Sequence, residues 1–129
     1  MNLKTSLRIM AIVFWFYIPI FILSILPLIG IEIPQLFFTE YRGPTYMWDF
    51  ELMFTVIFGI WGYFLWKTSH APEKSTTFIH FSMWASAGHI VSMLVIGIVR
   101  PVDLVHMIQD AIVQIIPLLL VIVSYRKFK

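Results

Sequence analysis

The chain contains no cysteine. That removes disulfides, thiolate zinc sites, iron–sulfur clusters, covalently attached c-type haem and thiol redox relays. Charge is scarce as well: 12% of the 129 residues are Asp, Glu, Lys or Arg, against about 25% in an ordinary soluble domain. Apolar residues reach 60%, and the mean hydropathy is +0.87. So little charge cannot cover a core in water, and a soluble globule is excluded. With 17% aromatic residues the chain is no disordered polymer either. The net charge is +2 and the pI about 9, yet the basic residues are scattered and stand mostly at the ends of apolar runs. That placement suits membrane orientation rather than a phosphate-binding surface, so no nucleic-acid partner is expected.

What the chain does have is long apolar runs. Ile9 to Ile31 is 23 residues without a charge, about 34 Å as a helix, enough to cross roughly 30 Å of hydrocarbon. The run is too long for the apolar region of a signal peptide, and no small-x-small cleavage site follows it. Pro19 and Pro27 are expected to kink it. A second run covers 47–66, a third 75–99, and a fourth 102–125, with an outer loop at 32–46. Arg100-Pro101 is a sharp stop that makes the last two runs a tight antiparallel hairpin. In lipid every backbone N–H and C=O must be satisfied within its own segment, so all four runs are expected to be helices. The predicted fold is all-α: one domain over 1–129, a polytopic four-helix antiparallel transmembrane bundle.

Lys and Arg give the orientation. With the N-terminus cytoplasmic, that side holds Lys4, Arg8, Lys67, Lys74, Arg126, Lys127 and Lys129, and the far side only Arg42 and Arg100. Seven against two predicts a cell-membrane protein with both termini cytoplasmic.

Ionisable side chains inside a span cost about 2.5–3.5 kcal/mol each near its centre, so each needs a reason. Asp103, His106, Asp110, Gln114 and Pro117 fall within about 80° of one another on the fourth helix. His89 shares a face of the third helix with Ser82 and Ser86, with Ser92 nearby. Glu51, Thr55, Gly59, Gly62 and Trp66 share a face of the second. These faces are expected to converge, with Glu51 meeting His106 beside Arg100 and Asp103. Deeper in, Asp110 is level with Ser92 and His89 is level with Gln114.

Several roles suit such a polar line. Its groups satisfy one another and set the packing of the bundle, or Glu51, Asp103, His106 and Asp110 hold a metal ion, for which carboxylate and imidazole are suitable ligands. His89, with Ala85, Ser86, Ala87 and Gly88 clearing space beside it, suits single ligation of a haem or chlorin. A small proton or solute transporter is the remaining option, although small multidrug exporters carry their working carboxylate in a first span, which here has none. No nucleophile elbow or Ser-His-Asp arrangement is present, and no catalytic activity of its own is expected.

The chain also carries Phe58-Gly59-Ile60-Trp61-Gly62-Tyr63-Phe64-Leu65-Trp66, then His70-Ala71-Pro72-Glu73, then Phe81-Ser82-Met83-Trp84-Ala85-Ser86-Ala87-Gly88-His89. With its small residues, turn proline and W-x-S-x-x-H pattern, this stretch resembles a family of small four-span bacterial membrane proteins known only as a domain of unknown function. The resemblance implies the fold and assigns no residue a role. By elimination the expected function is that of an accessory subunit of a larger membrane complex. Its partners would be the bilayer and larger membrane subunits or further copies of itself. Trp15, Trp48, Trp61, Trp66 and Trp84 are available for lateral contacts.

Overall fold

The computed structural model describes residues 2–31 and 48–128. The expected outer loop 32–46 lies outside them, as do the side chains of Asp103 and His106. Four long helices make up the described chain: α1 (Leu3–Ile25), α2 (Trp48–Thr68), α3 (Thr76–Val99) and α4 (Leu104–Phe128).

Local chemistry explains most of their ends. Asn2 caps α1, its side-chain oxygen accepting from the Thr5 N–H at 2.9 Å. The helix therefore starts at Leu3, six residues before the apolar run does, because a cap and not a charge decides where a helix begins. At its other end α1 tightens into a 3-10 turn over Leu26–Ile29. Gly30 then adopts φ +80°, and the Ile31 N–H closes back on the Leu26 carbonyl at 3.1 Å. Only glycine takes that backbone without strain. The first turn of α2 holds Asp49 and Glu51 and its last turn Lys67, each at the end where the helix dipole favours its charge. A 3-10 turn at Pro72–Lys74 leads into α3, and Pro101–Asp103 forms another between α3 and α4. α3 stops because the residue before Pro101 is driven out of the helical region. Arg100 has φ −124°, ψ 81°, its N–H still reaching the Ile96 carbonyl at 2.7 Å.

α1 packs along α2, α3 along α4, and α1 along α4, whereas the backbones of α2 and α3 stay apart over most of their length. Leu3, Leu7, Met10, Ala11 and Phe14 of α1 share one buried cluster with Phe58 and Leu65 of α2, Ile79 of α3, and Val121 and Tyr125 of α4. The N- and C-terminal ends of the described chain therefore lie at the same end of the bundle. A smaller cluster of Ile90, Ala111 and Leu118 joins α3 to α4.

Small residues set the close approaches. A Cβ added at Gly62 would lie 2.8 Å from Trp15 Nε1 and 3.0 Å from the Ala11 carbonyl oxygen. At Gly97 it would meet Leu104 and Met107 at 3.1 and 3.3 Å, so the hairpin of α3 and α4 is equally tight. The wider seam between α2 and α3 is filled with rings instead. Trp61 lies 5.7 Å from Phe81, and Phe64 lies 6.1 Å from Phe78.

Three of these helices are long and apolar enough to cross a membrane: Leu3–Leu23, Thr76–Val99 and Met107–Phe128, with mean hydropathies of 2.1, 1.7 and 2.1. In α2 the tryptophans, Tyr63, two glycines and two first-turn acids lower the average. Its outward residues Leu52, Met53, Phe54, Val56, Ile57, Ile60 and Phe64 are nonetheless apolar.

The glycine contact yields a direct test. Gly62→Val forces a branched side chain into the pinned Trp15 indole and the α1 backbone, and should destabilise the fold by about 1–3 kcal/mol, the usual range for overpacking. Gly88→Ala, where nothing lies within 4 Å of the added carbon, should leave stability unchanged or slightly raised. Unfolding in mixed detergent micelles measures both.

Candidate functional site

Four side-chain hydrogen bonds seen among the described residues tie the elements together. Trp15 Nε1 donates to the Gly59 carbonyl at 3.1 Å, joining α1 to α2. Trp61 Nε1 donates to Ser82 Oγ at 2.9 Å, joining α2 to α3 across the wide seam. Gln114 Nε2 donates to the Tyr17 hydroxyl at 3.2 Å, joining α4 to α1. Arg8 Nε donates to Ser69 Oγ at 3.1 Å, joining α1 to the turn between α2 and α3. In hydrocarbon an unsatisfied donor costs several kcal/mol, so these bonds choose the neighbours as well as hold them.

One layer concentrates the polar groups. The Tyr17 ring stacks on Phe58 with centroids 5.0 Å apart and planes 16° from parallel. Phe58 in turn meets the His89 imidazole edge-on at 5.4 Å, with Phe54 5.9 Å from the same imidazole. Gln114 is fully buried against Tyr17. The layer thus links His89 and Gln114 through two rings, with one residue from each helix. Asp110 stands one turn from Gln114 on α4. Two oxygens in this region, Ser86 Oγ and Gln114 Oε1, are buried without a hydrogen-bond partner among the described residues.

The residues singled out from the sequence are distributed as follows. Glu51 stands half-buried in the first turn of α2, and Arg100 is exposed at the tip of the hairpin of α3 and α4. Ser92 is exposed on α3 and donates to the Gly88 carbonyl of its own helix at 2.9 Å. Gln114 and His89 belong to the central layer, with Asp110 beside it. Among the described residues no three His, Asp or Glu side chains stand close enough to hold a metal ion. With the side chains of Asp103 and His106 undescribed, only Glu51 and Asp110 of the four candidate ligands are placed.

Tyr17, Trp15, Trp61 and Arg8 carry polar contacts that the sequence reading assigned to no site. Counting Tyr and Trp as apolar left α1 without a polar face. Depth was the signal that could have found the first of them. Tyr17 lies fourteen residues into α1 from Leu3, and Gln114 lies fourteen residues back along α4 from Phe128, so antiparallel packing places them side by side.

Apolar helices of spanning length, joined by buried polar contacts, define a small helical membrane protein. No curated protein and no solved structure matches the chain. A family model does: the family of unknown function DUF6632 matches residues 5–127, and the chain belongs to that family.

The Tyr17–Gln114 bond is accessible to a double-mutant cycle. Tyr17→Phe keeps the ring on Phe58 and removes only the hydroxyl, and Gln114→Leu removes the amide. Their coupling energy should be about 0.6 kcal/mol and not exceed about 1.7, the range for hydrogen bonds between membrane helices. Detergent unfolding of the two single variants and the double variant gives the value.

Proposed function

We propose that this protein crosses the cytoplasmic membrane four times, both termini inside, and serves as an accessory subunit packed against a larger membrane protein. The observation that carries this reading is the outer face of α3. Trp84 is 79% exposed there and has no hydrogen-bond partner among the described residues. It lies about 12 Å along the helix from Thr76, inward of the interfacial belt where tryptophan ordinarily sits. One turn on, Gly88 has nothing within 4 Å of its missing side chain, and Ser92 follows a turn later. An indole knob beside a glycine notch is the surface on which a further transmembrane helix packs, because small residues let backbones approach in lipid. A partner helix would also supply an acceptor for the indole N–H.

Four spans are supported by the packing of α2 along α1 and by its apolar outward face. The inside placement of both ends is supported by the seven-to-two distribution of Lys and Arg. Since the chain has no cysteine, single cysteines report topology cleanly. A membrane-impermeant maleimide added outside intact cells should label Val99→Cys and leave Asn2→Cys and Phe128→Cys unlabelled. The reverse pattern refutes the orientation.

The subunit reading predicts recovery from mild detergent at fixed stoichiometry with a larger polypeptide. Trp84→Ala and Gly88→Leu should each abolish that recovery while leaving the unfolding midpoint of the chain within a few degrees of the parent. A chain that purifies alone and keeps its cellular role refutes the reading.

A second reading, a metal or haem/chlorin protein using His89 or the set Glu51, Asp103, His106 and Asp110, is favoured by the two unpartnered oxygens. Ser86 stands one turn from His89, and Gln114 one turn from Asp110. A visible spectrum and metal analysis of the purified protein decide it: colourless, metal-free and stable material removes the cofactor.

A further inference from the structure

The end of the bundle that carries both termini is rich in cations. Lys4, Arg8, Lys67, Lys74, Arg126 and Lys127 face one carboxylate in the described chain there, that of Glu73. None of these seven groups makes an ion pair within the described residues. α3 adds to the positive potential, since its N-terminus at this end has neither a side-chain cap nor an acid in its first turn.

Arg8 differs from the other five cations in being held. Its Nε donates to Ser69 Oγ at 3.1 Å, and Ser69, itself fully buried, donates to the Trp66 carbonyl at 2.6 Å. The guanidinium carbon lies 5.3 Å from the centroid of the Trp66 ring, and that ring is backed by Trp15 at 5.6 Å. One edge and one face of the guanidinium are thus fixed. The two terminal nitrogens remain, a planar fork that makes no hydrogen bond to any described residue. A fork of this geometry matches two oxygens of a phosphate group, which an ammonium cannot do. Lys4, one turn earlier on the same face of α1, stands where it can add charge to the same anion.

We infer that Arg8, oriented by Ser69 and Trp66, is a binding site for a phosphate group, and that its occupant is the headgroup of an anionic phospholipid in the surrounding leaflet. The inference rests on the chain lying in a membrane and is independent of the subunit reading, since no partner protein enters it. The tryptophan pair and the depth of Arg8, one turn inside the helix end, put the fork at the level of lipid phosphates.

Native mass spectrometry of the full chain from detergent tests this with phosphatidylglycerol, with phosphatidylcholine, and with inorganic phosphate at matched ionic strength. The parent should retain phosphatidylglycerol over phosphatidylcholine. Arg8→Lys, which keeps the charge and loses the fork, should weaken phosphatidylglycerol retention about tenfold, as expected for one charge-assisted hydrogen bond. Arg126→Gln, which removes a charge in the last turn of α4, should weaken it less than about twofold. Ser69→Ala frees the guanidinium without changing its charge and should fall between them, so it serves if the lysine variant does not fold. Arg8-dependent binding of inorganic phosphate that displaces the lipid would uphold the site and make a free phosphate its occupant. Equal retention by parent and Arg8→Lys, or an equal loss in Arg126→Gln, would overturn it in favour of diffuse attraction.

Discussion

A hydrogen-bond donor inside hydrocarbon has no water as an alternative partner, and helices in lipid gain little from burying apolar surface against one another. Which helices touch is then decided by dispersion at close approach and by the few donors that need an acceptor. At the α1–α2 contact both act at one place. The Trp15 indole lies in the space that the missing side chain of Gly62 leaves, and its N–H reaches the carbonyl of Gly59 one turn away. Removing the glycine would displace the indole, and displacing the indole would strand its donor. The tight hairpin of α3 and α4 uses the same device at Gly97, without the hydrogen bond.

The α2–α3 seam follows from the opposite choice of residues. Phe54, Phe58, Trp61 and Phe64 are too large for the backbones to close, so rings interlock with His89, Phe81 and Phe78. The only side-chain hydrogen bond described across it is that of Trp61 to Ser82. His89 is accordingly a member of an aromatic layer, with its polar neighbours one helix further on. The bundle has two close pairs, one further close contact and one ring-filled gap. Two buried oxygens without a partner among the described residues, those of Ser86 and Gln114, lie on α3 and α4.

The two ends of the bundle are chemically unlike. At one, six cations share the end that holds α3's N-terminus, which has no side-chain cap, and one of them is gripped by a serine and an indole. At the other, the acids Asp49 and Glu51 open α2, and the hairpin tip carries Arg100 and Asp103. An asymmetry of this kind orients a protein in its membrane and gives each end different lipid headgroups to meet. The stretch from Phe58 to His89 had suggested a family of unknown function, and the DUF6632 match over residues 5–127 is to such a family.

Composition alone determined the solvent, because 12% charge cannot cover a core in water, and the spacing of charged and apolar runs determined that the chain is helical, with a break between α2 and α3 and another at 100. Those properties are local or additive and can be read residue by residue. The start of α1 at Leu3 was hidden by a rule that ends a span at a charge, although the cap at Asn2 was there to be seen. Which polar groups meet was decided only by tertiary structure. Periodicity gives the face on which His89 or Gln114 lies, but not how far apart two backbones stand. That distance is set where Gly62 meets Trp15 and where Phe58 meets His89. Tyr17 became the partner of Gln114 because α1 and α4 pack antiparallel in register, a relation between segments nearly a hundred residues apart that neither segment encodes by itself.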